Sequence, residues 1–443
     1  MLDNLIKYLD NKKVLILGFG REGKSTYKLI RKYLNKKHIY ISDKELVEDE
    51  NLKQDKNISY ISGDKYLENL KDYDLIIKSP GISLAKEDTT KYKGKITSQL
   101  ELLLEFFSNY TIGITGTKGK STTSSLIYTI LKEQNIKTML LGNIGTPVFE
   151  YIEDIEKDMV IVLEMSSHQL EYMKKSPNIA ILLNIYEEHL DYYKSLENYA
   201  KAKCNIYIYQ KGTDYFLYNS DNEILEKMVK KTKAVTYKVS FSKEKDVYLK
   251  EDKIYFKDKE LYNKNEKRNL QGDYNLNNIM FVLAVSEILN LNKNKTIKTI
   301  NEFKTLKHRL EFVGKYEDVI YYDNSIGTIP KATIEAIETL KEVDSLIIGG
   351  MDRGIDYSEF IKYLNNSKIR NIICMPKTGH NIAKEIRDKN TYIVNTMEEA
   401  VKVAKEKTRK GNICLLSPTA ASYGYFKNFE EKGDLFIKLV RCS

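Results

Sequence analysis

Three successive α/β units, each a mainly parallel sheet with flanking helices and the middle one opened by a phosphate-binding loop, are the architecture this sequence predicts. Three observations carry the prediction. Short apolar runs alternate with helical patterns through residues 1–98 and again after Ser345, the pattern of parallel strands joined by helical crossovers. Between them, residues 111–131 (TIGITGTKGKSTTSSLIYTIL) read as a buried strand, a glycine turn and a helix. A chain of 443 residues also has the length for two or three separate cores. The units are expected over residues 1–98, 99–305 and 306–443.

In the first unit, VLILGFG (14–20), HIYISD (38–43) and DLIIKSPGI (74–82) are the expected strands. The turn Gly18-Phe19-Gly20-Arg21-Glu22-Gly23-Lys24-Ser25 fits two patterns at once. One is the dinucleotide pattern G-x-G-x-x-G, with Asp43 twenty residues after Gly23; the other is the ATP-loop pattern G-x-x-x-x-G-K-S. Both share one physical content, a strand-to-helix glycine turn able to hold a diphosphate, with a carboxylate near for hydroxyls.

The second unit is entered through a helix in QLELLLEFFSNY (99–110). In the loop after the 111–115 strand, the glycines of Gly116-Thr117-Lys118-Gly119 let backbone N–H groups approach phosphates. Lys120 can reach the β and γ oxygens, Ser121 offers a hydroxyl to Mg²⁺, and the helix N-terminus favours negative charge. LGNIGTP (141–147) is a glycine turn carrying Asn143. MVIVLEMSSHQLE (159–171) begins as a buried strand that ends on Glu164, where such folds place a magnesium-binding carboxylate. The next strand, in IAILLNIYEEHLDYY (179–193), delivers Asn184 and then His189 to the same edge. SLENYAKAKCNIYIY (195–209) is a helix whose Lys201 and Lys203 read, from the residues alone, as solvated lysines. Short alternating runs between 214 and 262 are expected to be antiparallel strands flanking the sheet. Residues 272–290 are expected to form an amphipathic helix that starts with exposed Asn275 and Asn278.

In the third unit, HRLEFVGKYEDVIYYDNS (308–325) reads as a hairpin and IPKATIEAIETL (329–340) as a helix with Pro at its start. Strands and helices then alternate to a final helix in FKNFEEKGDLFIKLV.

Composition narrows the function. A hydrophobic content of 42% with 30% charged residues describes a globular chain. No apolar run approaches the ~18–20 residues that cross a bilayer. The acids in MLDNLIKYLDNKK stand where a secretory signal would be basic and then apolar, so a cytoplasmic protein without stable membrane insertion is expected. Cys204, Cys374, Cys414 and Cys442 lack C-x-x-C spacing, which argues against a zinc site or a disulfide framework. The net charge of +9 comes from lysines interleaved with acids, which reads as solvated faces suited to anionic small substrates, not as a nucleic-acid surface.

Together these segments resemble the Mur ligases of bacterial cell-wall synthesis, over essentially the whole chain. Gly116-Thr117-Lys118-Gly119-Lys120-Ser121-Thr122 is similar to the family's ATP loop, with Lys118 where Asn is usual. Asn143 in GNIG, Glu164 in LEMSS, His189 in EEHLD and Lys203 before CNIY fall in the family's order and spacing. The resemblance implies ATP contacts from that loop and from Asn278, Arg309 and Asn324. It implies two Mg²⁺ ions held by Ser121, Glu164, His189 and a carbamylated Lys203, and a catalytic set of Lys120, Glu164, His189 and Lys203. Gly18, Gly20, Gly23, Asp43, Ser79, Pro80 and Gly81, with Asn143, Ser166 and Gln169, resemble a UDP-sugar pocket on a Rossmann-like domain. The ending LSPTAASYGYFKNFEEKG resembles the members that add D-glutamate to UDP-N-acetylmuramoyl-L-alanine, with Thr328, Arg353, Ser422 and Phe429 around the amino acid on a second Rossmann-like domain. Two further positions depart from the pattern: Gly424 stands where Asp is common, and Asn324 where the family often has the acid contacting ATP.

The implied chemistry is activation of the L-alanyl carboxylate by ATP as an acyl phosphate, followed by attack of the D-glutamate amine. A monomer is expected. A folate-polyglutamate-type ligase would begin with its ATP domain and so leave the first 98 residues unexplained. An NAD-dependent oxidoreductase would use the turn at Gly18 but leave the 111–131 loop, Glu164 and His189 unused. A non-catalytic nucleotide-binding partner protein is the third alternative, favoured if Lys203 or Asn324 is disabling.

Overall fold

Runs of β-branched and aliphatic residues form twenty strands in three sheets among the described residues. The computed structural model describes the chain except residues 46–49, 86, 144–146, 231, 305–306, 353–354, 423 and 443, and the side chains of residues 50, 51, 191 and 331. The chain forms two compact units, Met1–Arg268 with Asn275–Glu302, and Asn269–Tyr274 with Phe303–Ser443.

The first unit holds two sheets. In one, β1 (Val14–Leu17), β2 (Ile39–Asp43), β3 (Ile58–Ser62), β4 (Leu75–Lys78) and β5 (Ile96–Thr97) are all parallel, in the order β3-β2-β1-β4-β5. Central β1 is buried along its whole length, as expected of a parallel strand covered on both faces. Strands β3 and β5 escape the sequence reading because β3 is only half-buried and β5 is two residues long.

The other sheet runs through β6 (Tyr110–Thr115), β7 (Thr138–Gly142), β8 (Val160–Glu164), β9 (Ile179–Leu182), β10 (Tyr215–Asn219) and β11 (Val235–Ser240), then β12 (Val247–Lys250), β13 (Lys253–Phe256) and β14 (Lys259–Asn263). Its order is β14-β13-β12-β11-β10-β9-β6-β8-β7. The expectation of antiparallel strands throughout 214–262 is corrected here. Strands β10 and β11 continue the parallel sheet from β9, and only β12–β14 form an antiparallel meander. Phe216, Leu217 and Tyr218 are buried consecutively, which fits a strand covered on both faces, and the short helix Glu223–Met228 supplies the crossover a parallel pair needs.

A continuous apolar cluster joins the two sheets, from Leu5, Val14 and Ile16 through Leu100, Leu103 and Phe149 to Leu163, Leu182 and Phe216. The helix Gln99–Phe106 is the seam. Gln99 Nε2 donates to the Glu22 carbonyl and to Thr26 Oγ1, both at 2.8 Å, while its Oε1 accepts from Phe149 N at 3.2 Å. Buried Lys78, at the end of β4, is lowered to about 8 by burial, against the pull of Glu171 and Glu22.

The helix Asp273–Ile288 corrects a second expectation: it is buried almost all round, and Asn278 is 2% exposed where a solvated residue was expected. An apolar run from Ile279 to Val285 leaves no polar face, which is the pattern of a core helix.

In the second unit, β15 (Glu311–Tyr316) and β16 (Val319–Asp323) form the expected hairpin. The remaining strands, β17 (Val343–Ile348), β18 (Asn371–Cys374), β19 (Asn390–Ile393) and β20 (Ile413–Leu416), run parallel in the order β15-β16-β20-β17-β18-β19. Helices cover both faces: Met397–Lys407 and Phe429–Arg441 pack over Tyr321, Ile347 and Leu416, and Pro330–Leu340 and Ser358–Asn366 over Leu346, Ile348 and Leu415. No helix among the described residues is long and apolar enough to cross a membrane.

Candidate active site

The phosphate loop is set by β6 and the helix Lys120–Glu133, with Gly119 as N-cap at φ +86°, a left-handed conformation that a side chain would strain. The neighbouring strand end clamps it. Asn184 Oδ1 accepts from Lys118 N at 2.9 Å, Asn184 Nδ2 donates to the Lys118 carbonyl at 3.1 Å, and Thr117 N donates to the Asn184 carbonyl at 2.9 Å. Thr117 Oγ1 lies 3.1 Å from the Tyr199 hydroxyl and accepts from Tyr186 N. Lys120 Nζ donates to the Gly116 and Thr117 carbonyls at 2.9 Å each, so its ammonium lies over the loop. Ser121 and Thr122 sit in the first turn of the helix, as the loop reading requires.

Beside the loop, Lys120, Asn143, Glu188, His189, Tyr199 and Lys203 line a cavity of about 270 Å³, together with Pro80, Gly81 and Ser166–His168. Lys203 corrects the reading of a solvated lysine: it is 1% exposed and donates to the Gly116 carbonyl at 2.9 Å. Burial, and then the Lys120 ammonium, push its pKa far below the ordinary lysine value, against Glu188 and Glu164. Its neighbour Lys201 keeps the solvated role, paired with Glu197 at 2.6 Å on the exposed face of the same helix. Burial raises the Glu188 carboxyl, but Lys118, Lys120, His189 and Lys203 outweigh it and hold the group below the ordinary carboxylate range. His189, at φ +57°, precedes the short helix Leu190–Tyr193, its ring centroid 4.8 Å from that of His168.

Glu164 closes β8 as expected. Its Oε1 accepts from Asn143 Nδ2 at 2.8 Å, and its Oε2 is buried with no hydrogen-bond partner. An orphaned carboxylate oxygen next to a phosphate loop fits a hard divalent cation, which takes oxygen ligands and leaves no buried charge unpaired. Asn278 Nδ2 is also among the buried polar atoms without a hydrogen-bond partner.

The residues assigned to a UDP-sugar are placed less uniformly. Gly20 caps the helix Arg21–Tyr33, so Lys24-Ser25 lies within the helix and not at its start: Lys24 is exposed and Ser25 buried. That is not phosphate-loop geometry, and one of the two patterns is thereby excluded. Gly23 must be glycine because a Cβ would overlap the Gly18 carbonyl. Asp43 pins the turn, its carboxylate accepting from Phe19 N at 2.6 Å and Glu45 N at 3.0 Å. Ser79 Oγ donates to the Gly18 carbonyl at 2.8 Å. Ser166 and Gln169 form the capping box of the helix Ser167–Leu170, and Gln169 Nε2 also donates to Glu22 Oε1 at 3.1 Å.

In the second unit, Asn324 Nδ2 donates to Ser417 Oγ at 3.0 Å and its Oδ1 accepts from Leu310 N at 3.2 Å, so both ends of the amide hold the strand ends together. Arg309 sits in the turn before β15. Ser422 is buried with an unpartnered hydroxyl, Phe429 opens the last helix and Thr328 is half-buried after β16. Arg353 lies outside the described residues. Gly424 takes φ +90°, a conformation the Asp common in the resembling family would adopt only with strain.

Sequence reasoning passed over His308, whose Nδ1 lies 2.7 Å from Asp323 Oδ2 under the last helix. Burial opposes its charged form, but Asp323, Asp434 and Glu311 outweigh that and raise its pKa. It also passed over Lys432, lowered to about 7 by burial against Asp323, with Nζ 2.7 Å from the Gly349 carbonyl. Neither carries a motif, and their partners come from distant segments. Gly433 packs against this cluster: a Cβ there would overlap His308 Nδ1 and lie 2.5 Å from both Asp323 Oδ2 and Ser325 Oγ. Gly433→Ala is therefore expected to destabilise the second unit by roughly 2–3 kcal/mol, read as a lower thermal midpoint. An unchanged midpoint would show that the helix shifts without cost.

Comparison with known proteins adds family to geometry. Residues 13–87 match the MurD N-terminal domain, 114–286 the Mur ligase middle domain and 308–420 the Mur ligase glutamate ligase domain. The UDP-N-acetylmuramoylalanine–D-glutamate ligase of Clostridioides difficile (strain 630) is 35% identical over 448 residues, covering 97% of this chain and 98% of that protein. The protein of the same name from Acetivibrio thermocellus is 34% identical over 470 residues, covering 99% and 98%. Among solved structures, the MurF ligase of Thermotoga maritima in complex with ADP aligns over 96% of this chain and 94% of its own, with a TM-score of 0.62 at 20% identity. UDP-N-acetylmuramate–alanine ligase MurC of the same organism covers 97% and 99%, with a TM-score of 0.59 at 19% identity. At these identities the structural likeness is one of fold.

Proposed function

Because the chain belongs to the Mur ligase family, we propose that it is an ATP-dependent, ADP-forming ligase that joins D-glutamate to UDP-N-acetylmuramoyl-L-alanine in cytoplasmic peptidoglycan-precursor synthesis. The observation that carries the reading is the cavity where Lys120, Asn143, Glu188, His189 and Lys203 converge beside the phosphate loop. Two anions, a carboxylate and a triphosphate, must meet there, and the protein answers with fixed cations.

A carboxylate and an ammonium do not condense in water, so the carboxylate has to be activated first. The L-alanyl carboxylate attacks the γ-phosphorus of ATP, ADP leaves, and an acyl phosphate forms. The D-glutamate amine, having lost a proton, attacks the acyl carbon, and phosphate leaves from the tetrahedral intermediate. Lys120 and the backbone N–H groups of the loop hold the phosphates and carry the charge that develops on them. Ser121 and the orphaned Oε2 of Glu164 would hold one Mg²⁺, and His189 and Lys203 a second. Bound there, such ions would neutralise phosphate and acyl-oxygen charge.

A lysine ammonium has no lone pair for a metal. Lys203 is therefore proposed as a carbamate, made by addition of carbon dioxide to the neutral amine that its depressed pKa makes available. The glycine turn at Gly18–Gly23, with Ser79–Gly81 and Asn143, is proposed to hold the UDP-sugar. The second unit is proposed to bind D-glutamate through Thr328, Ser422, Phe429 and Arg353, where a guanidinium would pair bidentately with a carboxylate.

The test is phosphate release by the purified protein with ATP, Mg²⁺ and UDP-N-acetylmuramoyl-L-alanine against a panel of amino acids. Release that depends on D-glutamate, and not on L-glutamate, glycine, L-lysine or diaminopimelate, is expected. Release driven by another amino acid would assign the chain to another step of the family.

A further inference from the structure

Lys120 and Lys203 have their ammonium groups anchored on main-chain carbonyls of the phosphate loop. Lys118 differs. Its main chain is fixed at both ends by the Asn184 amide, so its Cα cannot drift from the loop. Its Nζ, however, reaches across the loop to a carboxylate, Glu188 Oε1, at 3.5 Å. The side chains are 16% and 22% exposed, so the pair is shielded from solvent far more than a surface salt bridge. At 3.5 Å it is also a loose pair, at the outer limit of a hydrogen bond. Glu188 is drawn by both loop ammonium groups, those of Lys118 and Lys120, and together with Lys120 it lines the cavity beside the loop, where a polyphosphate would compete for the same cations.

We propose that Lys118 is a further γ-phosphate ligand of this enzyme, and that Glu188 is the exchangeable anion which holds Lys118 in place until the nucleotide's terminal phosphate displaces it. A phosphoryl group carries more charge than a carboxylate and accepts the shorter charge-assisted bond of about 2.7–2.9 Å, so it wins the ammonium when both compete. The exchange favours nucleoside triphosphate over diphosphate, because only the triphosphate carries the terminal phosphate that takes the ammonium from Glu188. It thus makes Lys118 a residue that distinguishes substrate ATP from product ADP. The inference rests on the nucleotide site proposed above, and its test reads nucleotide binding alone, so that the identity of the amino acid does not enter.

The test is calorimetric titration of the full chain with ADP and with the non-hydrolysable triphosphate AMP-PNP, each with Mg²⁺. Lys118→Gln should weaken AMP-PNP about tenfold or more, the loss expected for one charge-assisted hydrogen bond, while ADP binding changes by less than about twofold. Lys118→Arg should restore the discrimination. Glu188→Gln should tighten AMP-PNP, and that gain should vanish in the Lys118→Gln background, since the two residues act as one exchange. If Lys118→Gln weakens both nucleotides alike, the pair is a strut of the loop and the proposal is overturned. If Glu188→Gln weakens AMP-PNP, Glu188 is a supporting ligand and not a competitor, and the exchange is overturned. Wild-type protein that binds neither nucleotide would remove the underlying site as well.

Discussion

Lys203→Ala is expected to leave a folded protein whose ligation rate falls by about 10²–10³-fold or more, the scale of losing a fixed electrostatic partner in a closed site. Short carboxylates such as acetate should recover part of that rate. The reasoning starts from an inconsistency: a lysine side chain 1% exposed and beside the Lys120 ammonium is a poor place for a second positive charge. Burial and Lys120 favour the neutral amine, and the neutral amine adds carbon dioxide to become an anionic oxygen donor within the same cavity as His189. Alanine removes the donor and leaves room for a small carboxylate. Folding should persist, because the loss is two hydrogen bonds, to the Gly116 carbonyl at 2.9 Å and to Thr115 Oγ1 at 3.4 Å, and it relieves the burial of an ionisable group. Phosphate release with and without acetate, alongside circular dichroism, checks the result. Wild-type turnover in Lys203→Ala would remove the carbamate from the mechanism.

The second large effect separates the two glycine turns. Lys120→Ala should abolish ATP-dependent phosphate release, by about 10³-fold or more, because the γ-phosphate loses a cation fixed at the helix start. Lys24→Ala should leave ATP binding intact and act, if at all, on the Michaelis constant for the UDP-sugar. The difference is structural: Lys120 is the first residue of its helix, whereas Lys24 is the fourth of Arg21–Tyr33 and faces solvent. Nucleotide titration of both variants decides it. Loss of ATP binding in Lys24→Ala with retention in Lys120→Ala would reverse the assignment.

The strand, turn and helix of residues 110–133, the carboxylate at the tip of β8 and the hairpin at β15–β16 are all legible without coordinates. Each depends on neighbours in the chain: β-branched runs, glycines at a turn, Pro at a helix start. The order of Asn143, Glu164, His189 and Lys203 identified the family for the same reason, since spacing along a chain survives without a structure. What the sequence alone misjudged were properties of distant pairs. Asn278 and Lys203 both looked solvated, because their own turns of helix are polar enough; both are buried by segments far away, and burial is a sum over tertiary neighbours. The direction of β10 and β11 was misjudged because alternation describes one strand, while parallel or antiparallel pairing is decided by the crossover that returns the chain. His308 with Asp323 carries no motif at all, and the motifs that hold Lys118 and Glu188 do not say that the two pair with each other. Sequence by itself determined the family, the three sheets and the phosphate loop, which follow from local periodicity and spacing. Only the tertiary structure decided which charges are shielded and which ion pairs form, because the cost of an unpaired charge and the strength of a paired one both depend on how much water the rest of the fold excludes.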